Sequence, residues 1–446
     1  MPRRTGKWLS GWPRWLYSAA LYGLAPLIWR RVWRESLGSR SRCERLGLID
    51  ASPSERPVIW LHAASVGEVL AARPLIEALH DRYPNHRLVV TTMTATGAER
   101  VEAIANALIA SSVTGRLEMG SVGEVSNYFV PLDFPGAAWR FVTRLRPTLA
   151  IFFETEIWPN LLYACHQRNV PVAVVNGRLS SKAMRGYRRI GALMATALGN
   201  VDWLAAKSTQ DAERFRQLGM PHERIATVGS LKFDIGINDA ISIDSERLRT
   251  SLGERPVWIA GSTHPGEEEQ LLVAHARLRQ RHPTALLILV PRHPQRFDDV
   301  AALCQNDGER LARRSKGERV EAGTTIYLGD SMGELSMLYG AADMAFVGGS
   351  LVPIGGHNLL EPAAQGVPVL SGFALDNFSD VAEVLREANA LIEVAGAAPL
   401  GEALIKLLDD PTERQRRAAA GRAAIEANRG ALARTLDGLE RLLPLA

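Results

Sequence analysis

The stretch VIWLHAASVGEVLAARPLIEAL, residues 58–79, holds the pattern that decides the fold. Its first six residues are apolar, β-branched or aromatic apart from one histidine, which predicts a buried strand. After the turn Ser65-Val66-Gly67-Glu68, apolar residues recur at helical spacing, which predicts a helix over 68–82. A buried strand that leads directly into an amphipathic helix is the repeating unit of an α/β protein.

The same alternation continues along the chain and starts again at Pro256. The predicted strands are 58–63, 87–94, 149–154, 171–177, 201–208 and 224–230, followed by 256–263, 285–292, 324–330, 343–350 and 367–372. The helices predicted between them are 68–82, 96–110, 158–168 and 209–218, then one from about 266, 333–341 and 358–365. Continuous Val/Ile/Leu runs between amphipathic helices indicate parallel strands that are covered on both faces. We expect the Gly/Ser-rich segment 111–126 to be an insertion loop.

Two successive arrays of this kind predict an α/β fold with two doubly wound, Rossmann-like domains that face a cleft. We expect an N-terminal segment over 1–46, a first domain over 47–235 and a second over 236–446, with a linker near 235–250. The Ala/Arg/Leu-rich stretch 411–446 predicts a C-terminal helix that crosses back to the first domain. In such sheets, ligands bind beyond the carboxyl ends of the strands.

Composition excludes several classes of protein. A chain of 446 residues with 22% charged and 46% hydrophobic residues is typical of a two-domain globular protein. The three cysteines, Cys43, Cys165 and Cys304, lie far apart and form no CxxC pair, so no disulfide framework or structural zinc is expected. The chain has no GxxxxGK[ST] or HExxH motif, and no DxD pair that would bridge a metal ion to a diphosphate.

The first 46 residues combine positive charge with tryptophan. They carry ten Arg and Lys residues against Glu35 and Glu44, and five of the ten tryptophans of the chain flank the apolar run LYSAALYGLAPLIW (16–29). This pattern is typical of a membrane-interface anchor, although a run of this length is marginal for crossing a bilayer. An amphipathic helix packed on its own domain is the alternative. We favour a retained anchor at the cytoplasmic face of a membrane over nucleic-acid binding.

The carboxylate of Glu68 has two possible interpretations. At the start of a helix its negative charge interacts favourably with the helix dipole, which would keep the carboxylate ionised. At the carboxyl end of a buried strand it also lies where the base of an active site would lie. Glu154 and Glu156 in IFFETEIWPN (151–160) also follow directly after a buried strand. Lys232 in GSLKFD (229–234) precedes the predicted linker.

The second domain carries loops that predict a nucleotide site. GGSLVPIGGHNLLEPAAQGVPVL (348–370) places a Gly-rich loop before a helix that begins near Asn358, with Glu361 one turn inside. Glycine lets a backbone approach a ligand, and helix-start N–H groups suit phosphate. A tight turn capped by Asn358 is the structural alternative.

Three further loops precede helices or end strands in the same domain. Pro291 and Arg292, beside His293, end the run LLILV; Met332-Gly333-Glu334 begins a helix; and AGSTHPGEEE (260–269) follows a strand. An arginine at the end of a strand can donate two charge-assisted hydrogen bonds to a phosphate or carboxylate group.

Together these motifs resemble those of the Kdo (3-deoxy-D-manno-octulosonic acid) transferases, inverting glycosyltransferases of the two-domain GT-B fold. The matching stretches, in order from residue 62 to about 365, are HAASVGE, TTMTATG, FFETEIWPN, VNGRLS, GSLKFD, STHPGEE, PRHP, GDSMGEL and GGSLVPIGGHNLLEPAA.

The resemblance implies transfer of Kdo from CMP-Kdo to the tetra-acylated lipid A precursor in lipopolysaccharide synthesis, without a metal or other cofactor. It implies that Glu68 is the general base and that Glu154 and Lys232 stabilise the transition state. The residues implied in CMP binding are Pro291, Arg292, Met332, Gly333, Glu334, Asn358, Leu359, Leu360 and Glu361. The implied location is the cytoplasmic face of the inner membrane, held by the N-terminal anchor.

Two other functions remain open from the sequence. One is a transferase or epimerase that uses a UDP-sugar, and the other is a non-catalytic nucleotide-binding protein with the same fold. The number of Kdo units added is not determined by the sequence.

Overall fold

The computed structural model describes residues 11–34, 42–50, 56–114, 124–234 and 239–443. The chain forms two compact units. The first comprises Met1–Asp234 and Arg429–Ala446, and the second comprises Ile235–Asn428. The chain therefore leaves the first unit once and returns to it once.

The first unit is built on a seven-stranded parallel sheet. Its strands are β1 (Val58–His62), β2 (Arg87–Thr92), β3 (Val125–Phe129), β4 (Pro147–Phe153), β5 (Val172–Gly177), β6 (Trp203–Ala206) and β7 (Ile225–Thr227). They lie in the order β3-β2-β1-β4-β5-β6-β7. Successive residues of β1 face opposite sides: Val58 and Trp60 join one apolar core, and Ile59 and Leu61 join the other. Both faces of the sheet are therefore buried.

Helices cover these faces. They are α1 (Trp12–Arg34), α2 (Val66–Arg82), α3 (Ala95–Thr114), α4 (Pro135–Leu145), α5 (Pro159–Gln167), α6 (Ser181–Arg188), α7 (Gly191–Leu198), α8 (Thr209–Gln217) and, at the end of the chain, α17 (Ala431–Glu440). The hydroxyl oxygen of Ser65 caps α2 by accepting a hydrogen bond from the Glu68 N–H.

The second unit repeats the plan. Its parallel strands are β8 (Val257–Thr263), β9 (Leu286–Pro291), β10 (Leu311–Arg313), β11 (Ile326–Leu328), β12 (Met344–Val347), β13 (Val369–Ser371) and β14 (Leu391–Glu393), in the order β10-β11-β9-β8-β12-β13-β14. Its helices are α9 (Asp239–Leu252), α10 (Glu268–Arg281), α11 (Phe297–Asn306), α12 (Leu335–Gly340), α13 (Leu360–Ala364), α14 (Ser379–Glu387), α15 (Ala397–Asp409) and α16 (Pro411–Asn428).

Strand order locates one switch point in each sheet. In the first sheet the chain runs outward from β1 to β3 and then returns to β4 on the other side of β1; in the second it does the same from β8, returning at β12. At a switch point, the loops that follow the two adjacent strands lead to opposite faces of the sheet. They leave a crevice between them, which is where ligands bind in open α/β sheets. The loops after β1 and β4, and after β8 and β12, are therefore the places to look for function.

The two parallel sheets confirm the prediction of two α/β domains, but several elements differ from expectation. The polar stretch predicted as a linker near 235–250 contains α9 over most of its length, and residues 235–238 lie outside the described residues. The predicted insertion loop 111–126 includes the end of α3 and the first residues of β3, while 115–123 lie outside the description. Helix α4, which has a buried apolar face, was not predicted.

Helix α1 packs against the first unit with one face. The Arg14 guanidinium donates to Asn160 at 3.1 Å and lies 3.7 Å from the ring centre of Tyr163, and the Ser18 hydroxyl also donates to Asn160. In the part of the chain that the structure describes, no helix is long and apolar enough to cross a membrane. Of the predicted anchor 1–46, residues 1–10 and 35–41 lie outside the described ranges.

Candidate functional site

Glu68 lies in the first turn of α2, directly beyond the carboxyl end of β1. One carboxylate oxygen accepts a hydrogen bond from the Ala64 N–H at 2.8 Å, and the other accepts from the Ser65 hydroxyl at 2.9 Å. The helix start thus fixes the carboxylate in one orientation. Its side chain is only partly buried, so it remains accessible from solvent.

The electrostatic surroundings of Glu68 oppose the effect of the helix start on its ionisation. Burial raises the pKa of its carboxyl above the ordinary value, and the negative charges of Glu156 and Glu154 raise it further. The hydrogen bonds from Ala64 and Ser65 lower the pKa but do not offset the increase. A carboxylate with a raised pKa is a stronger base, which suits proton abstraction near neutral pH.

Glu154 follows the last residue of β4, the strand adjacent to β1. Its backbone adopts a left-handed conformation with φ of 61°, and its N–H donates to the Val175 carbonyl oxygen. A non-glycine residue held in this region is uncommon and carries strain, which occurs at functional sites more than elsewhere. Glu154 and Glu68 therefore lie at the two sides of the same switch point.

Glu156 belongs to this carboxylate cluster, although it is not among the residues to which the resemblance gives a role. Its Oε2 atom accepts from the Trp158 indole N–H at 2.6 Å and lies 3.4 Å from Nε2 of the fully buried His62. Burial raises its pKa, but the contacts with His62 and Trp158 outweigh burial and hold the pKa below its ordinary value. The sequence signal for Glu156 was its position two residues after Glu154 in the same loop.

Lys232 lies in a 3-10 turn, Leu231–Phe233, that packs against α2. Asn176, also in a left-handed conformation and fully buried, accepts a hydrogen bond from the Leu231 N–H. At the other end of the turn, the two carboxylate oxygens of Asp234 accept from the N–H groups of Gly430 and Leu432 at the start of α17. The turn that carries Lys232 is thus held on the helix that carries Glu68.

In the second unit the two switch-point loops are joined by Glu267. Its carboxylate accepts hydrogen bonds from the backbone N–H groups of Gly349, Ser350 and Leu351, at 2.7, 3.0 and 3.0 Å, and from that of His264 at 3.0 Å. The N–H groups that begin the Gly-rich loop therefore bind a carboxylate of the protein itself. This occupancy removes them from the groups expected to meet a phosphate.

Four basic side chains converge above these loops. The Nε2 atoms of His264 and His357 lie 2.7 Å apart with the two ring planes within 7° of parallel, and His293 meets His264 edge-on at 5.2 Å between ring centres. Burial lowers the pKa of both His264 and His357, and the positive charge of Arg292 lowers each further. The predicted residue Arg292 thus belongs to a larger basic group than the sequence indicated, and the histidines of STHPGEE and GGHN complete it. Pro291 precedes Arg292 as the last residue of β9.

The predicted segment 358–361 has a buried and an accessible part. Asn358 donates from its side chain to Glu361 at 2.9 Å and accepts from the Leu360 N–H at 3.1 Å. Burial raises the pKa of Glu361, while Asn358 and Arg292 lower it. The side chains of Leu359 and Leu360 are buried in the core, so only their backbone groups can meet a ligand.

The predicted residues 332–334 lie elsewhere on the same sheet edge, after β11. Met332 is exposed, and Gly333 has a φ of 84° that favours glycine. Glu334 forms a bidentate pair with Arg314, which lowers its pKa. Its carboxylate is therefore occupied by Arg314, and its backbone is the part left for a ligand.

Among the residues that the structure describes, no group of three or more His, Cys, Asp and Glu side chains is placed to hold a metal ion.

Comparisons with known proteins show the family of the chain. The family model of the 3-deoxy-D-manno-octulosonic-acid transferases (kdotransferases) matches residues 40–235. The chain is 39% identical to the 3-deoxy-D-manno-octulosonic acid transferase of Haemophilus influenzae over 96% of this chain and 99% of that protein. It is 38% identical to the Bordetella pertussis enzyme of the same name, over 96% of this chain and 99% of that protein.

Among solved structures, the UDP-GlcNAc 2-epimerase from Neisseria meningitidis has a similar fold. The TM-score is 0.55 at 12% identity, over 86% of this chain and 100% of that one. A glycosyltransferase from Rickettsia africae gives a TM-score of 0.53 at 12% identity, over 88% and 100% of the two chains. At this identity the likeness is one of fold, the two-sheet architecture of GT-B proteins.

Fold, site and relatives together define a glycosyltransferase. The chain belongs to the 3-deoxy-D-manno-octulosonic acid transferase family, and its reaction is the transfer of Kdo in lipopolysaccharide core biosynthesis.

Proposed function

We propose that this enzyme moves Kdo from CMP-Kdo to the tetra-acylated lipid A precursor, with inversion at the transferred carbon. The observation that carries the proposal is the group of three carboxylates, Glu68, Glu154 and Glu156, at the switch point of the first sheet. The basic group around Arg292, at the switch point of the second sheet, supports a phosphate-containing donor.

Glu68 is the general base in this proposal. It takes the proton of the acceptor hydroxyl while the oxygen attacks the ketosidic carbon of Kdo and the bond from that carbon to the CMP phosphate oxygen breaks. The neighbouring carboxylates support this role because they raise the pKa of Glu68. General-base catalysis of this kind is typically worth about 10²–10⁴-fold.

Glu154 and Lys232 stabilise the transition state. Positive charge builds on the sugar and negative charge on the departing phosphate. The carboxylate of Glu154 can stabilise the first charge, and the ammonium group of Lys232 can stabilise the second. The strained backbone of Glu154 and the clamped turn of Lys232 support roles that depend on fixed geometry.

CMP is held by the second unit. The groups proposed to hold it are the side chain of Arg292, the backbone at Pro291, at Met332–Glu334 and at Leu359–Leu360, and the polar side chains of Asn358 and Glu361. The chemistry proposed here needs no metal, because Arg292 and Lys232 supply positive charge.

We place the enzyme at the cytoplasmic face of the inner membrane, attached through α1. The face of α1 that points away from the first unit exposes large apolar side chains, namely Trp12, Trp15, Leu16, Leu24 and Leu27, which are 50–66% accessible. Arg31 and Arg34 follow in its last turn. Such a helix suits the interface, with apolar side chains among acyl chains and arginines near anionic headgroups.

The test is incubation of the purified enzyme with CMP-Kdo and the lipid A precursor, followed by mass analysis of the lipid. The expected product is the precursor extended by Kdo, and the number of additions is read from the same spectrum. A parallel reaction with UDP-GlcNAc is expected to give no product. An unmodified precursor in the CMP-Kdo reaction, with folded enzyme, would overturn the proposal.

A further inference from the structure

The second unit raises the question of what binds the phosphate of the donor. Three N–H groups of the Gly-rich loop donate to the carboxylate of Glu267, so they are not available to a phosphate. The basic groups at this switch point are side chains, namely Arg292, His264, His293 and His357. These side chains therefore supply charge beside the backbone groups that are proposed to hold CMP.

The His264–His357 contact constrains where protons can be. A distance of 2.7 Å between two Nε2 atoms is a hydrogen bond, which needs a proton on one of them and a lone pair on the other. When both rings are neutral, the donor ring has its second nitrogen, Nδ1, unprotonated. One further proton can bind there and leave the hydrogen bond intact, whereas a second would have to occupy the shared position and break it. The pair can therefore accept one positive charge.

The surroundings disfavour a positive charge on the pair when no anion is bound. Burial lowers the pKa of His357 to about 4, with further lowering by His264, Arg292 and His293. Burial and the charges of His293, Arg296 and Arg292 lower the pKa of His264, and only Glu268 raises it. Glu268 itself is paired with Arg296 through two hydrogen bonds. The excess charge facing the pair is thus positive, and a bound anion would reverse that effect.

We propose that His264 and His357 form a proton-sharing pair that binds the phosphodiester of the nucleotide-sugar donor and takes up one proton with it, next to Arg292. The proton comes from solvent and adds to the imidazole pair, so that the bound phosphate meets two cationic groups. This inference rests on the proposed function, because it assumes that the second unit binds the donor. It adds His264 and His357 to the residues that contact the donor, and it predicts that one proton binds together with the donor.

The experiment is calorimetric titration of the full-length enzyme with the methyl ester of CMP. This ester carries a single phosphodiester charge and no group that titrates near neutral pH, so any proton taken up goes to the protein. Titrations at pH 7 in two buffers with different ionisation enthalpies give the number of protons bound, and cytidine serves as the ligand without phosphate. The expected result is uptake of a substantial fraction of one proton with the ester and none with cytidine.

Variants assign the proton to the pair. His357→Gln keeps a hydrogen-bonding side chain but cannot be protonated. We expect this variant to abolish proton uptake and to lower the affinity for the ester about tenfold at pH 6.5. Its affinity for cytidine should stay within about twofold of the wild type. His264→Gln is the second variant, and thermal unfolding checks that both fold. His282→Gln, on a histidine of the same unit that contacts Asp409, is the matched control and should match the wild type.

The outcomes separate this inference from the proposed function. Proton uptake that is absent in the wild type, or unchanged in both His357→Gln and His264→Gln, overturns the proton-sharing pair. Equal loss of ester and cytidine affinity would show a purely structural role and overturns it as well. If product forms from CMP-Kdo in the transfer assay while uptake is absent, only this inference fails. Failure of transfer itself counts against the proposed function.

Discussion

The Nε2 atom of His62, at the end of β1, lies 3.4 Å from Oε2 of Glu156, in the loop that follows β4. This contact links two strands that are adjacent in the sheet but about ninety residues apart in the chain. With Trp158, it holds Glu156 in its charged form, and that charge acts on Glu68. The pKa of Glu68, the proposed base, thus depends on His62, which acts through Glu156.

Glu156→Gln should therefore shift the pH dependence of the reaction. Glu156 raises the pKa of Glu68, so its removal lowers that pKa and leaves Glu68 ionised at lower pH. We expect the acid limb of kcat/KM to move to lower pH, with a smaller maximal rate because the base is weaker. The measurement is the pH–rate profile of Kdo transfer. Glu223→Gln, an exposed acid of the same unit, is the control, and an acid limb that moves upward would contradict the coupling.

Glu68→Gln should remove the base while keeping the helix start. The amide oxygen can still accept one of the two hydrogen bonds, from Ala64 or Ser65, so folding should be nearly unchanged. We expect kcat to fall by about 10²–10⁴-fold. Glu77→Gln, on the same helix and paired with exposed Arg73, should retain wild-type activity. A Glu68→Gln enzyme with wild-type kcat would exclude Glu68 as the base.

Asp234→Ala should loosen the turn that carries Lys232. The change removes both hydrogen bonds to the start of α17, a cap supplied by a distant part of the chain. Loss of such a cap typically lowers the free energy of unfolding by about 0.5–2 kcal/mol, which chemical denaturation can measure. We also expect a lower kcat, because Lys232 is two residues away. Asp437→Ala, on an exposed position of α17, is the control; equal effects of the two changes would argue against the cap.

Glu267→Gln should destabilise the second unit. The carboxylate accepts four backbone N–H bonds in a fully buried position, and a single amide oxygen cannot replace both of its oxygens. Leaving buried donors unsatisfied costs about 1–3 kcal/mol. Thermal unfolding should show a lower transition temperature than for Glu269→Gln, an exposed neighbour on α10. Equal transition temperatures would show that the N–H groups find other partners.

Membrane attachment should depend on the exposed face of α1. Leu16→Ser together with Leu27→Ser removes apolar side chains that contact solvent, so stability should change little. We expect binding to anionic vesicles to fall at least about tenfold in a flotation assay. Replacing Arg30, Arg31 and Arg34 by Ser should weaken binding to anionic vesicles but not to neutral ones. Full vesicle binding by both variants would show that α1 is not the attachment.

Elements with strong local signals were predictable from sequence. The run around Trp60 predicted β1, because a strand buried on both faces is continuously apolar, and the helical spacing after Glu68 predicted α2. The helix Asp239–Leu252 was missed because its surface is polar and its few apolar positions pack only in the folded unit. Strand β10 has only three residues, which is too short for a periodicity to be recognised.

The candidate site was predictable where a residue follows a buried strand, as Glu68, Glu154 and Arg292 do. Its electrostatics were not, because they depend on residues that are distant in the chain. The helix dipole, which can be inferred from sequence, favours an ionised Glu68, whereas burial and the carboxylates of Glu154 and Glu156 act in the opposite direction. Similarly, nothing local in the Gly-rich loop indicates that Glu267, over eighty residues earlier, occupies its N–H groups.

The contact of Asp234 with Gly430 has a topological consequence. Asp234 is the last residue before the chain leaves the first unit, and Gly430 follows Arg429, at which the chain returns. The exit and the re-entry are therefore hydrogen-bonded neighbours, and the whole second unit is an insertion at one point on the surface of the first. Excision of the second unit with a short glycine bridge from 234 to 430 would leave both ends of the gap where they already are.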